Sequence, residues 1–85
     1  MNVAYTVAFV RQLKSFDTNL QSEALEKIEL FKDQKNHKYL RVHKLHGSLK
    51  NRWSFSVNYR ILIVFCYRAK NEAILLAIDA HEVYN

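Results

Sequence analysis

Nine lysine and arginine residues lie between Gln34 and Asn71, a stretch without a single aspartate or glutamate. Three of the four histidines of the chain lie there too. The nine cations are Lys35, Lys38, Arg41, Lys44, Lys50, Arg52, Arg60, Arg68 and Lys70. A polyanion binds such a surface through phosphate contacts that release condensed counterions. The charge pattern therefore predicts a phosphate-bearing partner; the alternative is a solvated basic surface that only maintains solubility.

Three residues near strand ends could contact or react with a phosphodiester: Arg60, His81 and Tyr84. Histidine exchanges protons near neutral pH, arginine pairs with phosphate through parallel N–H groups, and tyrosine can stack on a base. Each has a structural alternative. Arg60 could form an ion pair with Asp79, His81 could be an exposed surface residue, and Tyr84 could pack against the domain.

A second group of candidates for phosphate or nucleic-acid contact surrounds Gly47. Its members are His43, Lys44, His46, Lys50 and Arg52. The alternative for the two histidines is that one packs inside the loop while the other is exposed. No cysteine or carboxylate cluster accompanies them, so a zinc site is not predicted. We expect no metal and no cofactor.

The elements that must position these residues follow from hydrophobic periodicity. Alternating apolar residues predict a strand over Asn2–Phe9, and a short helix begins near Ala8. An apolar stripe predicts a second helix over Asn19–Lys35, with Thr18 and Gln21 as a capping box. The segment Asn36–Asn51 lacks periodicity and is expected to be a loop with at most a short strand.

Three strands are predicted after this loop. The segment Arg52–Asn58 alternates, so that Trp53 and Phe55 belong to a buried face. The continuous apolar run Ile61–Tyr67 suits a central strand covered on both faces, and Ala73–Ala80 forms the last strand. The expected fold class is α+β: an N-terminal strand, a two-helix hairpin and a three-stranded antiparallel meander that completes a small twisted sheet.

The composition is that of a small, basic, globular protein. With 85 residues, the chain suffices for a single domain, 1–85. A formal net charge of +5 predicts an acidic partner. The one cysteine excludes an intramolecular disulfide and favours a reducing compartment, the cytoplasm. The longest apolar run is far shorter than the roughly 20 residues of a membrane helix, so no membrane association is expected.

Several segments of the second half share their order and spacing with a known family. The loop reads His43-Lys-Leu-His-Gly47, and the central region reads Trp53-Ser-Phe-Ser-Val-Asn-Tyr-Arg60 followed by Ile61-Leu-Ile-Val-Phe65. The last segment is Ala77-Ile-Asp-Ala-His-Glu-Val-Tyr84. Together with the N-terminal strand and helix pair, these segments resemble the RelE/ParE superfamily of bacterial toxins from type II toxin–antitoxin systems.

The resemblance implies a partner and two alternative activities. The partner is an acidic antitoxin that wraps the toxin, with a higher-order toxin–antitoxin complex possible. RelE-like members cut messenger RNA, mostly on the ribosome, and thereby inhibit translation. ParE-like members inhibit DNA gyrase by binding. A third alternative is a basic RNA-binding module without catalysis. Fold alone does not decide among these activities.

Metal-independent RNA cleavage uses the 2′-hydroxyl as nucleophile, and it needs a base, an acid and cations for the phosphate. The resemblance implies catalysis by His81, with Arg60 and Tyr84 beside it and the loop holding RNA. One departure is notable. The type member carries lysines and an arginine on the strand before the Tyr-Arg pair, whereas this chain has mostly serine and asparagine there. We therefore expect His81 and the loop to supply the chemistry.

Overall fold

Two helices pack against one face of a five-stranded sheet in the computed structural model, which describes residues 1–47 and 50–81. The strands are β1 (Asn2–Tyr5), β2 (His43–Lys44), β3 (Trp53–Ser56), β4 (Ile61–Ala69) and β5 (Glu72–Ala80). The helices are α1 (Val7–Lys14) and α2 (Thr18–Phe31), followed by a 3-10 turn at Gln34–Asn36. The element order confirms the predicted α+β class.

The sheet has the order β1-β5-β4-β3-β2. Strand β1 runs parallel to β5, and the other neighbouring pairs are antiparallel. The predicted meander is therefore present as β3, β4 and β5, and β2 adds a short edge strand. This order places the start of β4 beside the end of β5, where Ile61 lies opposite Ala80.

The helix boundaries differ from the prediction for local reasons. Strand β1 ends early because the Thr6 hydroxyl accepts a hydrogen bond from the Phe9 amide over 3.0 Å and caps α1. Helix α2 is capped by Asp17, whose carboxylate accepts from the Leu20 amide over 2.8 Å. The predicted Thr18 capping box is wrong, since Gln21 donates to the carbonyl of Phe16 instead.

The main core lies between the helices and the inner face of the sheet. Its centre is an aromatic cluster in which Phe31 of α2 stacks on Phe55 of β3, with ring centroids 4.3 Å apart. Phe65 of β4 packs edge-on against Phe31 at 4.8 Å. Trp53 is partly buried against the same core. The predicted burial of Trp53 and Phe55 on one face is therefore correct.

A second, smaller apolar cluster covers the opposite, outer face of the sheet. It consists of Leu45 from the loop after β2 together with Leu62 and Val64 of β4. Both faces of β4 are thus covered, as its unbroken apolar run predicted. Ser54 of β3 lies opposite Val64 and is 1% exposed, and its hydroxyl has no hydrogen-bond partner within the described residues.

None of the helices in residues 1–47 and 50–81 is long and apolar enough to cross a membrane.

Candidate functional site

His81 and Arg60 lie side by side at one end of the sheet. The His81 amide donates a hydrogen bond to the Arg60 carbonyl oxygen over 2.8 Å. This bond extends the β4–β5 pairing by one step beyond Ile61 and Ala80. The sequence predicted Arg60 at the start of the central strand and His81 after the last strand. In the structure these two positions are direct neighbours.

The turn that carries Arg60 is closed by Asn58. Its side-chain oxygen Oδ1 accepts from the Arg60 amide over 2.8 Å and from the Ile61 amide over 2.9 Å. Asparagine favours turns because its short amide side chain can satisfy nearby backbone donors in this way. The Asn58 amide group also reaches helix α2, where Nδ2 donates to Oε1 of Glu23 over 2.8 Å.

The His81 ring is oriented by the same turn. Its Nε2 atom lies 3.1 Å from the carbonyl oxygen of Asn58. A carbonyl oxygen can only accept, so Nε2 carries the proton in this contact and Nδ1 is the basic nitrogen of the neutral ring. The ring is partly buried, and Nδ1 makes no hydrogen bond within the described residues.

Arg60 presents an exposed guanidinium group. Its ion pair with Asp79, the alternative considered from the sequence, is not formed; Oδ1 of Asp79 accepts from the amide of Ala80 instead. Within the described residues the Arg60 side chain has neither an ion-pair nor a hydrogen-bond partner. An exposed cation without a carboxylate partner can contact a phosphate without first breaking an ion pair.

A cleft of about 710 Å³ separates Arg60 from the N-terminal half of α2. The helix side of this cleft is acidic, with Asp17, Glu23 and Glu26 along it. The sequence pattern gave no indication that these carboxylates lie near Arg60. The cleft therefore places the Arg60 cation opposite carboxylates that repel a polyanion on the α2 side.

The candidate RNA-binding loop lies at the other edge of the sheet. His43 and Lys44 form β2, and both are exposed, as are His46 and Lys50. The ring of His43 is held by its Nδ1, 2.8 Å from the carbonyl oxygen of Arg41. Neither histidine of the pair packs inside the loop.

Arg52 precedes β3 and is partly buried. Its Nη1 atom donates to the carbonyl oxygens of Lys50 and Asn51 at 3.4 and 3.3 Å. The histidine that does pack is His37, whose ring stacks on Phe31 at 4.8 Å. His37 therefore packs against the core and is not part of the exposed loop.

The loop and His81 are separate parts of one surface. His43 lies in a row with Ser54, Val64 and Ala77 across four strands, and His81 lies four residues further along β5. Strand spacing and rise place the Cα atoms of His43 and His81 about 19 Å apart. The structure thus places His81 beside Arg60 and far from His43.

Few of the basic residues form ion pairs within residues 1–47 and 50–81. Among the nine cations of the acid-free stretch, only two form ion pairs in the described part of the chain: Lys35 with Asp33 at 3.5 Å and Arg68 with Glu72 at 2.6 Å. The hydrogen bond to Glu72 raises the pKa of Arg68. The other seven, which include Arg60 and the loop cations, form no ion pair with a described residue.

Tyr84 lies outside the described residues, so its predicted role stays a prediction. Histidine, cysteine, aspartate and glutamate residues nowhere gather into a metal-binding group of three or more within residues 1–47 and 50–81.

Comparison with known proteins gives a likeness of fold. No family model matches the chain, and no curated protein matches it. Among solved structures, the YoeB–YefM complex from Staphylococcus aureus superposes with a TM-score of 0.73 at 14% identity, covering 95% of this chain and 97% of that one. The archaeal RelE–RelB complex from Pyrococcus horikoshii gives 0.71 at 14% identity, with 93% and 92% covered.

A third match is the toxin–antitoxin complex RelBE2 from Mycobacterium tuberculosis, with a TM-score of 0.69 at 15% identity over 94% of this chain and 96% of that one. Identities this low establish the fold and leave the activity open. The chain shares the fold of these RelE and YoeB proteins, which confirms the fold that the resemblance implied.

Proposed function

We propose that this protein is the toxin of a type II toxin–antitoxin system and that it cleaves messenger RNA on the ribosome. Support comes first from the fold, which it shares over nearly its whole length with proteins described as RelE, YoeB and a toxin–antitoxin complex. The observation that carries the proposal is the pairing of His81 with an Arg60 that has no ion-pair partner among the described residues.

The proposed reaction needs only groups of the protein and the RNA. The 2′-hydroxyl attacks the adjacent phosphorus and gives its proton to a base. The 5′-oxygen leaves with a proton from an acid, and a 2′,3′-cyclic phosphate remains. Arg60 stabilises the charge that develops on the phosphate. His81 transfers a proton through Nδ1, and Tyr84 is the candidate for the second transfer or for stacking on a base.

Binding and chemistry are divided between two parts of the surface. Lys44, Lys50 and Arg52 contact the RNA backbone, with His43 and His46 beside them. These contacts carry charge and little sequence information. Positioning of a codon beside His81 is therefore assigned to the ribosome, which holds the message in a fixed frame.

The proposed regulator is an acidic antitoxin that covers the basic surface in the cytoplasm. Two structural neighbours are described as complexes with RelB and YefM, which supports a protein partner for this chain. Neutralisation of the loop cations would prevent off-target RNA binding. Higher-order assembly of the toxin and antitoxin belongs to the same proposal.

A second candidate function is RNA binding without cleavage. One observation favours it: the only hydrogen-bond partner of the His81 ring within the described residues is a backbone carbonyl, so a second proton-transfer side chain is not bonded to it. Inducible expression separates the candidates. Translation arrest with new mRNA ends inside codons supports cleavage, and arrest with intact mRNA supports binding alone. Loss of DNA supercoiling with continued translation would support gyrase inhibition.

A further inference from the structure

We propose that Asn58 is a positioning residue for the reaction, anchored by Glu23 of α2, and that it fixes both the His81 ring and the turn that carries Arg60. The inference rests on the proposed function, because it assigns these two residues to the reaction. Asn58 and Glu23 were not among the candidates drawn from the sequence. Their roles follow from four hydrogen bonds that meet at one residue.

Asn58 uses both ends of its side chain and its backbone carbonyl. Oδ1 accepts from the amides of Arg60 and Ile61, which fixes the backbone from which the Arg60 side chain extends. The carbonyl oxygen accepts from Nε2 of His81. A single turn residue therefore connects the start of β4 with the residue after β5. Displacement of Asn58 would move Arg60 and His81 relative to each other.

The orientation of the Asn58 amide is determined by its partners. Two backbone N–H groups point at one end, which must be the oxygen because an NH₂ group cannot accept. The NH₂ group then faces Glu23, and the carboxylate oxygen Oε1 accepts from it at 2.8 Å. This bond spans 35 residues of sequence and joins the turn to helix α2. Hydrogen bonds to a charged group are stronger than neutral ones, so Glu23 restrains the turn.

The arrangement has a chemical consequence for His81. With Nε2–H directed at the Asn58 carbonyl, the neutral ring keeps its lone pair at Nδ1. In the opposite tautomer, the unprotonated Nε2 atom of His81 would face the Asn58 carbonyl oxygen, and both atoms are acceptors. The turn therefore selects which nitrogen can take a proton from the RNA. Loss of the Glu23 anchor would free the turn and allow both tautomers.

Three variants on one helix test this inference in the full chain. Glu23→Ala removes the acceptor of the Asn58 amide, whereas Glu23→Gln keeps an acceptor oxygen and removes only the charge. Glu26→Ala is the matched control: Glu26 is exposed and lines the same cleft, and its side chain makes no hydrogen bond within the described residues. All three variants lower the negative charge of α2 by one, so a purely electrostatic effect would be equal in each.

The first measurement is cleavage of RNA on programmed ribosomes. We expect Glu23→Ala to lower kcat by about 10- to 100-fold, the usual cost of misplaced reacting groups, with KM unchanged. Glu23→Gln should keep kcat within about threefold of the parent, and Glu26→Ala should match it. Thermal melting of each variant ensures that rates are compared between folded proteins.

The second measurement is the tautomer of His81, read from the two ring nitrogens by ¹⁵N NMR of the isolated proteins. We expect the Nε2–H form in the parent, in Glu23→Gln and in Glu26→Ala, and a mixture of both forms in Glu23→Ala. An unchanged tautomer in Glu23→Ala overturns the inference, as does equal kcat in Glu23→Ala and Glu26→Ala. Absence of cleavage by the parent would instead overturn the proposed function, and the NMR result would still decide the role of the anchor.

Discussion

The amide of His81 donates to the carbonyl oxygen of Arg60 over 2.8 Å, which holds a titratable ring and an exposed cation at the same end of one sheet. The two residues are separated by a full hairpin in the sequence, and the antiparallel β4–β5 pairing brings them together. The backbones of Arg60 and His81 are therefore direct neighbours in the sheet. The first two predictions follow from this relationship.

His81→Ala should lower ribosome-dependent RNA cleavage by about 10²–10⁴-fold, the typical contribution of a general acid or base. His81→Gln should lose nearly as much, because glutamine can donate to the Asn58 carbonyl but cannot accept a proton. Toxicity on expression should fall in parallel, with the melting temperature and antitoxin binding retained. Cleavage by His81→Ala at the parental rate would exclude His81 and direct attention to Tyr84.

Arg60→Ala should also abolish most of the cleavage, because the transition state loses its cation. Arg60→Lys should recover part of the rate, since a point charge helps without the paired N–H groups of arginine. Arg68→Ala is the control variant, because Arg68 is already paired with Glu72. If Arg68→Ala and Arg60→Ala lower the cleavage rate equally, the loss of cleavage is due to net charge. The assignment of Arg60 to the phosphate is then wrong.

The loop cations should determine how RNA binding responds to salt. Replacement of Lys44, Lys50 and Arg52 by alanine should flatten the plot of log binding constant against log salt by roughly one unit per true phosphate contact. Binding without the ribosome should show little sequence preference.

A charge-matched triple variant on the helices provides the comparison for the loop. Alanine at Arg11, Lys14 and Lys27, which lie on α1 and α2 outside the acid-free stretch, removes the same formal charge. If both triple variants flatten the slope equally, the loop is not the RNA contact, and binding depends on net charge alone.

Ser54→Ala should stabilise the protein. The Ser54 side chain is buried on the outer face of the sheet, and its hydroxyl lacks a partner within the described residues. Removal of an unsatisfied buried hydroxyl should raise the free energy of unfolding by about 1 kcal/mol. For a domain of this size, that corresponds to an increase in melting temperature of about 4–8 °C.

Ser56→Ala is the matched control for this stability measurement. Ser56 lies on the same face of β3, opposite Leu62, and is partly exposed. Its replacement should change the free energy of unfolding by less than about 0.5 kcal/mol. A loss of stability in Ser54→Ala would show that its hydroxyl has a partner after all.

The sequence predicted those parts of the fold that depend on short-range patterns. The alternation around Trp53 and Phe55 identified a strand with one buried face, and the unbroken apolar run of β4 identified the central strand. The α2 cap was misassigned because Asp17 and Thr18 are both good caps, and only the geometry shows that Asp17 accepts from Leu20.

The site was predictable only in part, for a related reason. Arg60 and His81 stood out by residue type and by their places at strand ends. The Asn58 turn had a local signal, asparagine after an alternating strand. Its contact with Glu23 had none, because 35 residues separate the two and nothing in the spacing indicates which helix face will meet which turn. Long-range hydrogen bonds of this kind become visible only with the fold.

The central claim, cleavage of messenger RNA on the ribosome, is tested most directly with purified protein and ribosomes programmed with one defined message. RNA ends are mapped to single-nucleotide resolution, and their phosphates are identified chemically. The account predicts cuts inside the codon at a fixed ribosomal position and a 2′,3′-cyclic phosphate at the new end. Cleavage should continue when EDTA is added after the ribosomes have been fixed on the message. The cuts should be lost with His81→Ala. Intact message at protein concentrations that stop cell growth would contradict it.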